Sequence, residues 1–462
     1  MSANSPDMDD KTLTRSEKNG ISRPSEATGF APTLTANRSE PSSASKTTLK
    51  TPDRGSLDME TAVRRAIEWH PSVDEVTGRI YQAEERIRAA KGGYFPKLNA
   101  GVNSGYQNSN REGWRPNFNV SASQMLYDFG KVSSSVDIEQ AGKGISRARL
   151  LLAVDDLSRD TANAVVEVQR YRSLAALALA QVDGVRRIAG LVGERTDKGA
   201  STMSDKTQAD ARVESALATQ LQYQSELSRW QVMLGALIGG SSPNPTDDAP
   251  TWLAKACDIA APDWEEVPAI LEAQAAKEEA KAQLAASRAE AFPTVSLEAS
   301  TGYDLNASRD NTTGNDRQPE YAVGVNVSSS LYNGGQTGAR KRAAAYALQS
   351  AEAAISTVRF DIQRNLMGSR SQIGTLSRLR GSLESRAGMM VKTRDLYREQ
   401  YLELGTRTLL DLLNAEQELH ESRFQIANTV HDLRRLNISC LYNSGKIRQG
   451  FGINPAMLRG AL

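Results

Sequence analysis

Cysteine, histidine and aromatic residues are scarce in this chain, and neither sign of charge dominates. Cys257 and Cys440 are the only cysteines, with no Cys-x-x-Cys spacing, so the sequence carries no disulfide framework and no zinc or redox motif. The histidines are His70, His420 and His431. The last two lie eleven residues apart, about three helical turns, close enough to share a helix face but too far to chelate one ion. They read as packed or surface side chains. Lys and Arg number 56 against 55 Asp and Glu, a net charge of +1 that excludes a global pull toward nucleic acid. The longest apolar runs, around residues 174–182 and 232–238, fall well short of the roughly 18 residues that a membrane-crossing helix needs. A helical membrane protein is thereby excluded. A β-barrel is not, because alternating strands barely raise hydropathy.

Hydrophobic residues make up 39% of the chain and aromatics 6%, with a mean hydropathy of −0.48. That balance argues against a thick globular core and for thin helical packing. No Ser-His-Asp grouping, paired carboxylates or metal cluster stands out, so the chain reads as a non-enzyme without cofactor or metal. Glycines cluster near 130 and 334, but no Lys-Ser/Thr follows them, which excludes a phosphate-binding loop.

Residues 1–55 are rich in Ser, Thr, Asp, Asn and Pro and read as a disordered tail. No basic stretch followed by an apolar one marks a secretory leader in this numbering. Helical patterns run over 56–69 and 72–91, ending at Gly92-Gly93. After Phe95-Pro96 the period changes from 3.6 to 2. Leu98, Ala100, Val102 and Tyr106 alternate with polar residues and glycine. A polar stretch over 108–116 follows, and then Phe118, Val120, Ala122 and Leu126 alternate in the same way. A helical pattern then persists from 130 almost to 199 and resumes to about 237. Nearly seventy helical residues span about 100 Å, a coiled-coil-like rod. A linker rich in Pro, Gly and Asp covers 241–264.

The programme then repeats. A helix spans 268–291, and Phe292-Pro293 matches Phe95-Pro96. One strand carries Val295, Leu297, Ala299 and Tyr303 on a single face. A polar loop over 305–319 leads to a second strand with Tyr321, Val323, Val325, Val327 and Leu331. Long helices follow over 335–404 and 407–442. Leu126-Tyr127-Asp128-Phe129-Gly130 matches Leu331-Tyr332-Asn333-Gly334-Gly335 at an offset of 205, and Gly199 and Asp205 match Gly405 and Asp411 at 206. An offset held over that distance indicates an internal duplication. It divides the chain into a first repeat over 56–240, with its hairpin at 96–128, and a second over 265–445, with its hairpin at 293–333; 446–462 is left as a C-terminal tail. Steps of three and four from Ala351 through Ile362, Leu366, Ile373 and Leu383 to Met390 mark a packing seam along the second rod.

Strands of about ten residues, apolar on one face and polar on the other, suit an outer-membrane barrel better than a soluble sandwich, which usually needs about seven strands in succession. Four strands cannot close one, because open edges would face lipid, so the chain is expected to oligomerise, giving eight strands from two copies or twelve from three. Asp128 and Asn333 are good helix N-cap types at the strand–helix joints, where Pro96 and Pro293 enter the hairpins and Gly130, Gly334 and Gly335 permit sharp turns. Asp205 and Asp411, just after the breaks at Gly199 and Gly405, suit helix capping equally well.

The doubled Phe-Pro, the Leu-Tyr-Asp/Asn-x-Gly exits and the segment Gly405-Thr406-Arg407-Thr408-Leu409-Leu410-Asp411-Leu412-Leu413-Asn414-Ala415 resemble the TolC-like outer-membrane efflux proteins, over about residues 57–445. The resemblance implies an α+β membrane protein. A homotrimer forms a twelve-stranded barrel in outer-membrane lipid, continuous with an α-helical coiled-coil tunnel through the periplasm. Its implied partners are a periplasmic adaptor (membrane fusion) protein and an inner-membrane ABC or proton-driven transporter. It further implies that Asp411, with Asn414 replacing a second acid, lines the constriction, leaving three carboxylates per trimer instead of six. Arg407 and Asp205, with Ser204 beside it, match the residues that hold the family's gate shut. The family's gate tyrosine falls at Leu402 here, one position from Tyr401. Drug-efflux members are often lipoproteins with cysteine at the mature N-terminus, whereas the first cysteine here is Cys257. Type I protein secretion is therefore favoured over small-molecule efflux, with a soluble coiled-coil scaffold as a remoter alternative.

Overall fold

A computed structural model describes residues 57–107, 113–240, 243–258, 261–304 and 320–454. The tail read over 1–55 and the loop read over 305–319 lie outside the described residues. Helix α1 (Met59–Trp69) starts at Asp58, whose carboxylate accepts the Thr61 N–H at 2.6 Å. Helix α2 (Pro71–Lys91) has proline in its first turn, where the missing N–H needs no partner. Strands β1 (Lys97–Gln107) and β2 (Gly113–Tyr127) lead to α3 (Lys131–Asp197) and α4 (Met203–Ile238). The second half follows the same order: α5 (Pro268–Ala289), β3 (Thr294–Asp304), β4 (Glu320–Ser328), α6 (Gln336–Glu399) and α7 (Leu409–Asn443). A single turn, α8 (Ile447–Gly450), ends the series. At 67 and 64 residues, α3 and α6 are each about 100 Å long.

The four strands form one antiparallel sheet in the order β1-β2-β3-β4. Its register gathers the alternating apolar residues onto one face. Leu98, Ala122, Ala299 and Val323 form one cross-strand row, and Ala100, Val120, Thr301 and Tyr321 form the next. The intervening row Asn99, Ser121, Ser300 and Ala322 belongs to the opposite face. A bulge between Met125 and Tyr127 brings Tyr127, rather than Leu126, opposite Val295. The apolar face is exposed in the protomer, with Leu98 at 73% and Val323 at 72% of full accessibility. Aromatic clusters bound this band. Tyr106 and Trp114 meet edge-on at 6.4 Å at one end, while Phe129 lies between Tyr127 and Phe292 at 4.7 and 5.2 Å at the other. Apolar bands flanked by aromatic girdles are what the two interfaces of a membrane select.

Two strand boundaries differ from the sequence reading. Trp114, Arg115 and Pro116 belong to β2, not to the preceding loop. Strand β4 ends at Ser328, so Leu331 lies beyond it and is 96% exposed. Helix α7 starts at Leu409, two residues later than periodicity places it, because Thr408 caps it.

The largest core joins α1 and α2 to the middle of α3, the end of α4 and the end of α7. Met59, Leu150, Leu234 and Ile438 are fully buried there. Ile447, Phe451 and Ile453, beyond the end of α7, are buried in the same core. Of the predicted α6 seam, Ile362, Leu366, Ser369 and Leu383 are buried, while most of the rest of the helix is exposed.

Cys257 and Cys440 form a disulfide, contrary to the sequence reading, with Cα atoms 5.3 Å apart. Spacing could not reveal a bond between residues 183 positions apart, which packing alone brings together. Leu366 packs against the pair and Arg370 Nε donates to Cys257 O, so the linker, α6 and α7 are fastened at one point.

Two buried titratable groups, one on α3 and one on α7, shift with opposite consequences. Burial raises the Asp155 carboxyl to about 7, outweighing the charge of Arg448, whose Nε lies 3.1 Å away. Burial lowers the His431 imidazole to about 3, helped by the charges of Arg434 and Arg170.

Closing so long a loop restricts the unfolded chain strongly. Cys257→Ser with Cys440→Ser, or reduction of the intact protein, should therefore cost about 2–5 kcal/mol of stability and lower the calorimetric melting temperature. The pH dependence follows from the other two groups. The stability that Asp155 contributes is complete below the unfolded carboxyl value and is lost as pH rises through about 7. That of His431 is complete above the unfolded imidazole value and is lost as pH falls toward about 3. Between these limits the two slopes oppose each other. Relative to the unaltered protein, His431→Gln should make stability fall by about 1 kcal/mol per unit as pH rises from about 4.5 to 6.5. Asp155→Asn should tilt it the other way, both read from melting midpoints across that range.

Candidate functional site at the helix joints and turns

The strand–helix joints work by reach from a distance. Gly130 and Gly335, not Asp128 and Asn333, occupy the N-cap positions, with φ of +92° and +83° that side chains disfavour. Asp128, buried, lies two residues earlier and accepts the Gly130 N–H at 3.0 Å and the Val132 N–H at 2.6 Å. Asn333 accepts the Thr337 N–H at 3.3 Å. Both satisfy amides at the start of a rod that no helical carbonyl can reach. Gly334 is also left-handed, at +66°. Pro96 and Pro293 stand immediately before β1 and β3, where no ladder hydrogen bond is lost. Lys131 Nζ donates to Thr294 Oγ1 at 2.7 Å, tying the start of α3 to the start of β3.

At the far ends, Gly199 and Gly405 both turn the chain in the left-handed region, with φ of +75° and +63°. Each turn is followed by the same capping box. Asp205 N–H donates to Thr202 Oγ1 and Thr202 N–H to Asp205 Oδ2, both at 3.1 Å; Thr408 and Asp411 make the same exchange at 3.3 Å. The two carboxylates that the sequence singles out are thus engaged in helix starts within the protomer. Ser204 is exposed beside Asp205. Asn414 is exposed on α7 and accepts from Arg212 Nη2 at 3.5 Å, while Arg212 Nη1 donates to Gln417 at 2.6 Å, joining α4 to α7.

Arg407 is held within its own turn. Its Nε donates to Gln400 Oε1 at 3.2 Å, its guanidinium lies 4.6 Å from the Tyr397 ring centre, and Asp411 Oδ2 is 4.0 Å from its Nη1. Among the described residues Arg407 and Asp205 do not pair within the protomer. The two turns are instead joined through Tyr401, which is 7% exposed. Its hydroxyl is 3.1 Å from Ser201 Oγ, Arg195 stacks 5.0 Å above its ring, and Arg195 Nη1 donates to Leu402 O at 3.1 Å. Val192, Ala209 and Leu412 complete an apolar cluster around the ring.

Sequence reasoning noticed Tyr401 but found it one position out of register. The structure shows a local irregularity at that point. Residues Gln400–Leu404 form a π turn, which absorbs one extra residue in a helix. The repeat offset grows by that same one residue, from 205 before α6 to 206 at Gly405. A second buried node lies nearby. Glu416 Oε1 is 3.2 Å from His420 Nε2, and Arg394 Nε of α6 is 3.6 Å from Glu416 Oε2. Burial raises the Glu416 carboxyl, but the His420 hydrogen bond and the nearby His420, Arg394 and Arg187 charges outweigh it, holding it below the ordinary value.

Among the described residues no His, Cys, Asp and Glu group could hold a metal ion, and no helix is long and apolar enough to cross a membrane.

A sequence profile described as "Outer membrane efflux protein" matches residues 62–240 and 265–436, two stretches that each hold one hairpin and its rods. The chain is 25% identical over 381 residues to the outer membrane protein TolC of Salmonella enteritidis, covering 77% of this chain and 76% of that one. It is also similar in fold to the outer membrane protein VceC of Vibrio cholerae, with a TM-score of 0.71, 19% identity and coverage of 84% of this chain and 96% of the other. The open state of the Neisseria gonorrhoeae MtrE outer membrane channel gives a TM-score of 0.65 at 20% identity, covering 84% and 88%. With an apolar sheet face bounded by aromatics, long rods turned back on themselves and a profile matched over most of its length, the chain belongs to the outer membrane efflux protein family and is a channel protein of the cell outer membrane.

Proposed function

We propose that three copies of this internally duplicated chain close one twelve-stranded barrel, continuous with a periplasmic tunnel of long helices, and that this tunnel is the exit duct for type I protein secretion. The four-stranded sheet is the observation that carries the reading. Its strands β1 and β4 are edges within one protomer, and its apolar face is exposed. Lipid offers no hydrogen bonds to such edges, so copies must complete the ladder. The tunnel is passive and non-enzymatic. An inner-membrane ABC or proton-driven transporter supplies the energy, coupled through a periplasmic adaptor. The type I assignment is the one that the sequence reading favours. Small-molecule efflux is the second reading, favoured by the name of the matched family. Retention of a secreted protein, against retention of a dye, in cells lacking this chain separates the two.

Gating belongs to the turns. Tyr401 with Ser201 and Arg195 joins them inside each protomer, and Arg407 stiffens the α6–α7 turn. Asp411, one per protomer, stands at the constriction and attracts cations.

Planar-bilayer recording on the purified protein, with its mass measured in the same detergent, tests both levels. A trimer with a small, cation-preferring conductance is the expected outcome; a monomeric, inactive particle would overturn the duct. Arg407→Ser should lengthen open times, and unchanged conductance and open time would remove Arg407 from the gate. Tyr401→Phe, which loses only the Ser201 hydrogen bond, should cost about 1 kcal/mol. Tyr401→Ala, which empties the cluster, should cost about 3–5 kcal/mol and open the channel further.

A further inference from the structure

Between α3 and α7, where residues 243–250 cross them, lies an open groove of about 650 Å³. Arg172, Arg423 and Arg434 line it, with Asp247 as the one carboxylate among the lining residues. The three arginines differ in what they do. Arg172 is fully committed, donating to Pro245 O, Asp247 Oδ1 and Asn244 Oδ1. Arg434 donates to Gln169 Oε1 at 2.8 Å and has no carboxylate within ion-pair distance among the described residues. Burial pulls its guanidinium below the ordinary value, with Asp247 and Asp248 opposing from farther off. Arg423 is half-buried and makes no hydrogen bond or ion pair among the described residues.

Beneath them His431 is 5% exposed and its Nδ1 has no partner. The imidazole is neutral at physiological pH, as the burial and cationic surroundings described above dictate. Buried polar groups are nearly always bonded, and a desolvated guanidinium is stable when an anion faces it. Other arginines of the chain obey that rule. Arg170 reaches Asp432 at 2.5 Å, and Arg448 reaches Asp155 at 3.1 Å. The rest of the groove is apolar, with Leu177, Ile426 and Val430 along its length. An inorganic ion would leave those walls wet, whereas a drug-sized ligand fills a cavity of this volume.

We propose that this groove is a binding site for an amphiphilic organic anion, its charged head on Arg434 and Arg423 above His431 and its hydrocarbon body along Leu177, Ile426 and Val430. The same chemistry fits an anionic lipid and a free organic acid.

Isothermal titration of octane-1-sulfonate into the intact protein in a non-ionic maltoside tests the site. One sulfonate per protomer is expected. Arg423→Gln and Arg434→Gln should each weaken binding at least tenfold, while Arg434→Lys retains most of it. Arg423 supports no other residue, so its variant should elute and melt like the parent. Equal binding by both glutamine variants, or equally tight binding of octyltrimethylammonium, would overturn the site. Inorganic phosphate binding as tightly as the sulfonate would overturn its apolar half. Displacement of the sulfonate by phosphatidylglycerol added to the micelles assigns the occupant as lipid, and failure to displace it assigns a free solute.

Discussion

A strand edge has backbone donors and acceptors on one side only, and hydrocarbon supplies nothing to bond them. That constraint governs how this chain is laid out. The two halves spend 26 and 20 residues on their strands and most of the rest on helices, and β2 pairs with β3 across nearly 170 intervening residues. The pairing works because the two halves deliver their hairpins at the same height. Phe95-Pro96 and Phe292-Pro293 start the strands alike, and Gly130 and Gly335 send the chain into the rods through the same left-handed turn. A one-residue slip between β2 and β3 would put Val295, Leu297 and Ala299 on the polar face. The bulge at Met125 absorbs the single irregularity before the joint, so the slip does not propagate.

The rods face the complementary problem of ending together. Helices α3 and α6 leave the sheet at equivalent points and must both turn about 100 Å away. One residue more in α6 would rotate its end by about 100° about the helix axis. The π turn at Gln400–Leu404 takes up that residue locally, and its consequence is chemical as well as geometric. It delivers Tyr401 into the cluster with Val192 and Leu412, where its hydroxyl meets Ser201 on the other turn.

Period alone made most of this legible. The change from 3.6 to 2 at Pro96 and Pro293 located the hairpins, and up to the bulge at Met125 the alternating residues were assigned to the face that the register gives them. The seam from Ala351 to Met390 was legible for the same reason, because its contacts are local to one helix face. What period could not show were contacts between residues distant in sequence. Cys257 and Cys440 carry no mutual spacing signal, and Leu331 continues the alternation although β4 has already ended at Ser328. At the turns the residue types pointed to Asp205, Asp411 and Arg407, but their partners depend on the fold. The two aspartates answer to the threonines three residues before them, and Arg407 answers to Tyr397 and Gln400. Ser201, Arg195 and Arg212 gave no sequence signal, since their roles exist only once the two turns meet.

The distribution of buried polar groups adds a last step. They concentrate on α3 and α7, with Asp155, Glu167 and Gln169 on one and Glu416, His420 and Asn437 on the other, whereas α6 buries only Ser369 and α4 none. An apolar seam between two long helices tolerates sliding by a turn at little cost, because one leucine substitutes for the next. Buried polar pairs do not, since each slip strands a charge or a hydrogen-bonding group. Glycine 184 makes the constraint sharper. A Cβ there would collide with the Glu416 carboxylate, so α3 carries no side chain where the buried acid of α7 sits against it. The α3–α7 pair therefore has one register. The hairpins at one end and the turns at the other inherit their heights from it, which is why a chain built from such thin, exposed helices still brings Tyr401 to Ser201.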